Sequence, residues 1–364
     1  MAPEERKPGL IPEEVVPTPP GKLTFTEEEL REILAKAQAR IKIIGVGGAG
    51  CNTIARMTEV GITGAETIAV NTDAQDLLYT SADRKILIGK TVTGGLGAGN
   101  DPEKGRKAAE EDQELLKNAV YGAHMVFITC GLGGGTGTGA APVIAELSRR
   151  MGILTSAVVT LPFTVEGKRR RENAMRGLEE LKQGADSIVV IPNDRLLQIS
   201  PDLSISEAFQ KCDIILTNAV KGITESITKP GLINIDFADV KAVLSNAGIS
   251  AICVAESDAE NRDEDVVNQA INNPLLDVDV SNAKGALLNL IASNITIKEA
   301  QNIVSKFQEL LNPEAQLIWG AQHSSEMKNA IRLVALLAGV YSPHAVPERK
   351  RPKPGEIDLG IKYV

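Results

Sequence analysis

The sequence predicts an α/β fold: a mostly parallel sheet with helices on both faces, one long central helix, and a smaller α+β domain after it. Three observations carry this expectation. Between residues 41 and 191 short apolar runs alternate with amphipathic stretches, the pattern of successive strand–helix–strand units. Two of those runs lead straight into glycine-rich loops that open helices. Near Ser204 the alternation gives way to one long stretch of helical period.

Taken in order, residues 1–25 contain six prolines and little apolar periodicity, which reads as a flexible arm. Thr26 is a candidate N-cap for a charged helix running to about Ala39. Ile41–Val46 reads as a buried strand, Cys51–Val60 as a helix, Thr67–Val70 as a strand and Pro102–Val120 as a helix. Met125–Thr129 is a strand, and a helix through Val143–Arg150 stops near Gly152. Leu154–Leu161 and Ser187–Ile191 complete the first set of strands. Ser204-x-x-Glu207 is a capping-box signature, and the helix it opens runs to about Thr228, where Pro230-Gly231 ends it.

A second set follows. Ser250–Ala255, Ala286–Ala292, Ala315–Trp319 and Ile331–Ala338 read as strands, with helices near Asp263–Ile271 and Ile297–Leu311 between them. Ile331–Ala338 also fits a buried helix; strand is the favoured reading. Residues 342–355 are proline-rich with a basic Arg349-Lys-Arg and read as a linker. The expected division is an arm over 1–25, a nucleotide-binding domain over 26–203 and the long helix over 204–230. An α+β domain over 231–341 and a linker with a terminal peptide over 342–364 complete it.

Composition narrows the function. A length of 364 residues with 43% hydrophobic content allows a sizeable core. A net charge of −8, without an aromatic-rich basic stretch, argues against nucleic-acid binding. Four cysteines far apart with no CxxC, and three scattered histidines, point to neither a disulfide framework nor a protein-built metal site. The acidic, proline-rich start is unlike a signal peptide, and the apolar run Leu333–Val340 is too short to span a bilayer. A cytoplasmic protein that does not bind membrane directly is expected.

The first glycine loop is Gly45-Val-Gly47-Gly48-Ala49-Gly50-Cys-Asn52, with Asp73 some twenty residues on. It fits the dinucleotide fingerprint, in which glycines let backbone N–H groups and the helix start approach a phosphate. By itself it suits an NAD-dependent oxidoreductase as well as a triphosphatase. The second loop, Gly131-Leu-Gly133-Gly134-Gly135-Thr136-Gly137-Thr138-Gly139, again joins a strand to a helix. Two such units in one sheet surround a phosphate chain from two sides, and the threonine hydroxyls add donors. The alternative is two tight turns needed only for close helix–sheet packing. Gly89-Lys90-Thr91 ends like a Walker A loop, but Arg84 stands where its first glycine belongs.

With Gly133–Gly139 the chain resembles the tubulin/FtsZ family of GTPases, on the FtsZ side and its archaeal branch. Also matching are Gly47-Gly-Ala-Gly-x-Asn52, Asn71-Thr72-Asp73, Thr160-Leu-Pro-Phe-x-x-Glu166-Gly and Asn234-x-Asp236-Phe-Ala-Asp239, in order over about residues 40–340. The resemblance implies that the glycine loops, with Ala98 and Gly99, wrap the phosphates of GTP or GDP. It implies Glu166 and Arg170 near the ribose and γ-phosphate, and Asn52, Asn193, Phe209 and Asp213 as the base pocket. Phe209 and Asp213 are four apart on the long helix and share a face, as a stacking ring beside a carboxylate requires. The bland alternative is a core phenylalanine and a solvated aspartate.

The resemblance also implies that Asn234, Asp236 and Asp239 lie at the opposite end of the subunit and complete a neighbour's site. The two carboxylates suit polarising water, directly or through Mg²⁺; otherwise Asp236 is an N-cap and Asp239 an ordinary helix residue. Assembly into a head-to-tail homopolymer is the implied partner relation, in a cell-division ring at mid-cell. Two positions depart from the pattern: His323-Ser-Ser-Glu follows Trp319-Gly-Ala, and Cys212 replaces a common alanine. In Glu356-Ile-Asp-Leu-Gly-Ile-Lys-Tyr-Val364 apolar residues alternate with polar ones or glycine, an extended pattern suited to docking on a partner, which the resemblance implies is a membrane-anchoring division protein. Folding back as an edge strand is the alternative.

Overall fold

The computed structural model describes Thr26, Glu29 and residues 39–195, 204–229, 231–273 and 278–345. The chain divides into two units, Met1–Gln38 and Ala39–Val364. In the first, Thr26 and Glu29 form the reciprocal bonds of a capping box: Glu29 N donates to Thr26 Oγ1 at 3.1 Å, and Thr26 N donates to Glu29 Oε2 at 2.8 Å. The body of the expected helix, residues 346–355 of the expected linker and the terminal peptide 356–364 lie outside the described residues; at the start of that linker Pro343–Ala345 form a helical turn, with Ser342 and Ala345 buried.

The second unit carries β1 (Ile41–Val46), α1 (Gly47–Val60), β2 (Ala65–Asn71), α2 (Ala74–Tyr79) and β3 (Arg84–Leu87). After them come α3 (Pro102–Glu111), α4 (Gln113–Val120), β4 (Met125–Gly131), α5 (Thr136–Arg150), β5 (Leu154–Leu161), α6 (Lys168–Gly184) and β6 (Ser187–Pro192). The long helix is α7 (Ile205–Thr228), followed by α8 (Phe237–Leu244) and β7 (Gly248–Ser257). The remainder is α9 (Arg262–Ile271), β8 (Gly285–Ala292), α10 (Ile297–Leu310), β9 (Gln316–His323) and β10 (Ile331–Ala338).

The ten strands of the described residues form one sheet, in the order β3-β2-β1-β4-β5-β6-β7-β10-β8-β9. From β3 to β7 neighbouring strands are parallel; β10 is antiparallel to both β7 and β8. The central strands are buried on both faces, which is why they read as nearly unbroken apolar runs. One face packs Ala108, Leu116, Ala140, Ile144 and Leu178 of α3 to α6, and the other packs Ile54, Met57, Leu216 and Val240 of α1, α7 and α8. The ladder between β6 and β7 is short, with three residue pairs against six between β5 and β6 and eight between β7 and β10.

Two expectations change. The helix expected over Pro102–Val120 is two helices, because Asp112 leaves helical geometry (φ −106°, ψ 29°) to accept the Gly89 N–H at 2.7 Å. The first glycine segment is not a loop ahead of its helix: α1 begins at Gly47, so the amides of Gly47–Gly50 are first-turn amides, whereas in the second segment residues 132–135 form the expected loop and α5 begins at Thr136.

Candidate functional site

A cavity of about 450 Å³ opens at the carboxyl ends of β1, β4, β5 and β6. The strand order reverses between β1 and β4, and open parallel sheets bind ligands at such a reversal. Of the residues expected to touch nucleotide, Gly47, Gly48, Ala49, Asn52, Gly99, Gly134, Gly135, Thr136, Gly137, Glu166, Arg170, Asn193, Phe209 and Asp213 line it.

One wall is made of helix starts. Neither α1 nor α5 has a side chain capping its first turn, and neither has an acidic residue there. By contrast Asp73, Asp101, Ser204, Asp236 and Thr296 cap α2, α3, α7, α8 and α10. First-turn N–H groups have no intrahelical acceptor, so two sets of them point at one cavity with the positive ends of two helix dipoles. That is an anion site for several phosphate oxygens.

The opposite wall is aromatic and acidic. Phe209 is 42% exposed and is held edge-on by buried Phe163, ring centroids 5.4 Å apart, leaving a face toward the cavity. Burial pushes the Asp213 carboxyl up to about 6; the Thr53 hydroxyl, donating to its Oδ1 at 3.0 Å, and Arg56 work against that rise. Cys212 donates its thiol to Asn193 Oδ1 at 3.3 Å, which fixes the Asn193 amide. At the rim, Glu166 accepts from the Phe163 N–H at 2.8 Å and pairs with Arg170.

Other expected residues serve the frame of the site. Gly47 and Gly133 adopt left-handed φ of +71° and +110°. A Cβ on Gly50 would meet Thr129 O at 2.5 Å and one on Gly139 would meet Pro102 O at 2.0 Å, so α1 and α5 close down only on glycine. The Thr138 hydroxyl accepts the Gly133 N–H at 2.8 Å, and Ala98 is buried against Gly135. Asn71 accepts the Thr72 N–H, and Asp73 caps α2 beside the Gly95–Gly99 loop, which pairs back onto it. The hydroxyl of Thr72, just after β2, meets that of Thr136 at the start of α5 at 2.6 Å.

Asn234, Asp236 and Asp239 are elsewhere. All three are exposed. Asn234 accepts the Gly231 N–H at 2.6 Å, and Asp236 caps α8 through the Ala238 N–H at 3.2 Å. From Asp213 to the end of α7 the helix carries the chain about 22 Å away. Phe237 then packs on His124, whose Nδ1 accepts the Arg40 N–H, and both residues immediately precede strands β4 and β1. The aspartate loop is therefore at the amino ends of the strands whose carboxyl ends form the cavity.

Sequence reasoning missed Thr53, Cys130, Thr160 and Leu216 among the lining residues. It also missed α6, which positions Arg170. The periodic Ala174, Leu178 and Leu181 were the available signal for that helix.

Residues 40–201 match the GTPase-domain model of the Tubulin/FtsZ family, and residues 248–341 match that of the FtsZ family C-terminal domain. Cell division protein FtsZ 1 of Thermococcus kodakarensis is 56% identical over 324 residues, 89% of this chain and 87% of that protein. The FtsZ 1 of Methanocaldococcus jannaschii is 52% identical over 321 residues, 88% of each. Among solved structures, an empty FtsZ dimer from M. jannaschii superposes with a TM-score of 0.82 at 52% identity, covering 86% of this chain and 91% of that one. CetZ2 from Haloferax volcanii, solved as a GTPgS-bound protofilament, gives 0.72 at 26% identity, covering 83% and 93%. The chain belongs to the FtsZ family of tubulin-type GTPases, and the oxidoreductase reading of the first glycine loop is set aside.

Proposed function

We propose that this chain binds GTP in the cavity at the carboxyl ends of β1, β4, β5 and β6, assembles head to tail, and hydrolyses GTP between subunits. The observation that carries this reading is the placement of the Asp236 loop at the sheet end opposite the cavity. A loop so placed can act on nucleotide only in another copy. The uncapped starts of α1 and α5 hold the phosphates, Glu166 and Arg170 stand at the rim, and Phe209 stacks on the base. Asp213 accepts from guanine N1–H and N2–H, a pair of donors adenine does not offer; charged hydrogen bonds of roughly 1.5–3 kcal/mol favour GTP about ten- to hundredfold.

Asp236 and Asp239 of the adjoining copy hold and polarise the attacking water. Magnesium would arrive with the triphosphate, taking its oxygen ligands from phosphate and water rather than from a dedicated protein cage. When bound, the ion neutralises charge developing on the phosphate oxygens; the carboxylates at hand for its water shell are Asp236 and Asp239.

In the cell such filaments build a division ring at mid-cell on the cytoplasmic side, tethered by a membrane-anchoring protein that takes residues 356–364. No helix among the described residues is long and apolar enough to cross a membrane. Sedimentation with GTP and with GDP, alongside phosphate release, tests the reading. Pelleting and turnover that depend on GTP support it, and turnover by protein that never pellets overturns it.

A further inference from the structure

We infer that Thr53 is a positioning residue for base selection, holding the Asp213 carboxylate so that both of its acceptor sites meet guanine. This rests on the proposed nucleotide reading and deepens it. Thr53 is fully buried on α1, lines the cavity, and sits on the same helix as the first glycine turn. Its hydroxyl is 3.0 Å from Asp213 Oδ1 on α7 and 3.0 Å from Ala49 O one turn back. A threonine has one hydroxyl proton, so only one of these acceptors is fully served at a time.

The charge on Asp213 decides which. A protonated Asp213 donates to Thr53 Oγ1, and the threonine proton turns to the Ala49 carbonyl. An ionised Asp213 can only accept, so the threonine proton turns to it. Oδ1 is then pinned from the side of α1 through one lone pair, and its second lone pair together with Oδ2 is left to face the base. The helix that supplies phosphate-facing amides at Gly47–Gly50 thereby also aims the base-reading carboxylate, keeping the two ends of the nucleotide in register.

The charged groups around Asp213 are Arg56 and Glu59 on α1, which line a groove on its outer side, and Glu166 and Arg170 across the cavity; the Cys212 thiol is beside it on α7. Arg56 favours the ionised carboxylate through space. A point charge cannot orient a carboxylate as a 3.0 Å hydrogen bond does, so geometry falls to Thr53.

The test measures GDP and IDP binding to the full-length protein, wild type, Thr53→Val and Thr53→Ser, from pH 5 to 8. IDP lacks the 2-amino group. Wild type should prefer GDP by roughly tenfold, and Thr53→Val should lose most of that preference while binding IDP nearly as before. The pH below which GDP binding fails, near the Asp213 value of about 6 in wild type, should move up by about one unit in Thr53→Val. Thr53→Ser should restore both. If Thr53→Val is poorly folded, Thr53→Ser against Thr53→Ala gives the same comparison. Equal losses for GDP and IDP with an unmoved pH profile would mean Thr53 only packs, and the inference fails. Wild type that binds neither nucleotide would instead overturn the nucleotide reading itself.

Discussion

Phe237 rests against His124 with ring centroids 5.9 Å apart, and this contact ties the loop of Asp236 and Asp239 to the amino ends of β1 and β4. The nucleotide cavity is at the other end of the same strands. Parallel strands of six and seven residues separate the two, so no side-chain motion within one chain joins them. The consequences are measurable.

Specific GTPase activity should rise steeply with protein concentration and level off once filaments form. Phosphate release at a series of dilutions checks this. Activity per subunit that stays constant far below the assembly threshold would show that one chain suffices.

Asp239→Ala should keep GTP binding and lose roughly 10²–10⁴ in turnover, the scale of a positioned acid–base group. Asp236→Ala should do the same and also destabilise α8 by about 1 kcal/mol, because Asp236 is its N-cap. Asp236→Asn keeps a capping oxygen and should lose turnover without that melting cost. In mixtures with wild type each variant should depress activity by more than its mole fraction.

Asp213→Asn should exchange guanine for xanthine. The asparagine oxygen accepts from N1–H while its amide donates to the xanthine 2-carbonyl, but that amide clashes with the guanine 2-amino group. GTP affinity should fall roughly 10–100-fold and XTP should become the better ligand. Stability should move the other way. The Asp213 carboxyl is raised to about 6 in the folded chain from an ordinary 3.8. The stability it favours is present below the ordinary value and lost as pH rises through about 6. Empty Asp213→Asn protein should therefore melt above wild type at pH 7.5, with the gap closing toward pH 4.

Deleting residues 356–364 should leave folding, GTP turnover and pelleting unchanged and abolish recruitment to the membrane in cells. A truncated chain that melts several degrees lower or fails to assemble would mean that the peptide is part of the folded body.

What could be read from the sequence was whatever is written locally. Ile41–Val46 and Leu154–Leu161 run to the residue as expected because a strand buried on both faces must be apolar throughout. The Ser204 capping box and the glycine clusters are local for the same reason. Asp112 was not legible, since the bond that breaks its helix comes from Gly89, far back in the chain. Thr53 carries no motif; a buried threonine in a helix looks alike whether its hydroxyl is spent on its own turn or on Asp213. The basic run Lys168–Arg171 hid α6, because cations oppose the dipole at a helix start. That Asp236 and the cavity face opposite ways depends on sheet topology, which no local pattern records.

The short ladder between β6 and β7 has a mechanical meaning. Among the described residues the ladder there pairs Ser187, Ile188 and Val189 with Gly248, Ile249 and Ser250, beside the Gly248 N–H donating to Asp186 O at 2.9 Å. Tension applied between the two halves is borne there by three ladder pairs, the packing of α7 and a few side-chain bonds such as Arg149 to Asn246 and Lys182 to the Ala345 carbonyl, whereas every other interior ladder from β1 to β8 shares its load over six or more pairs. Under force this seam is the compliant element and the first to shear, and an optical-trap record of the single chain should show its earliest extension there.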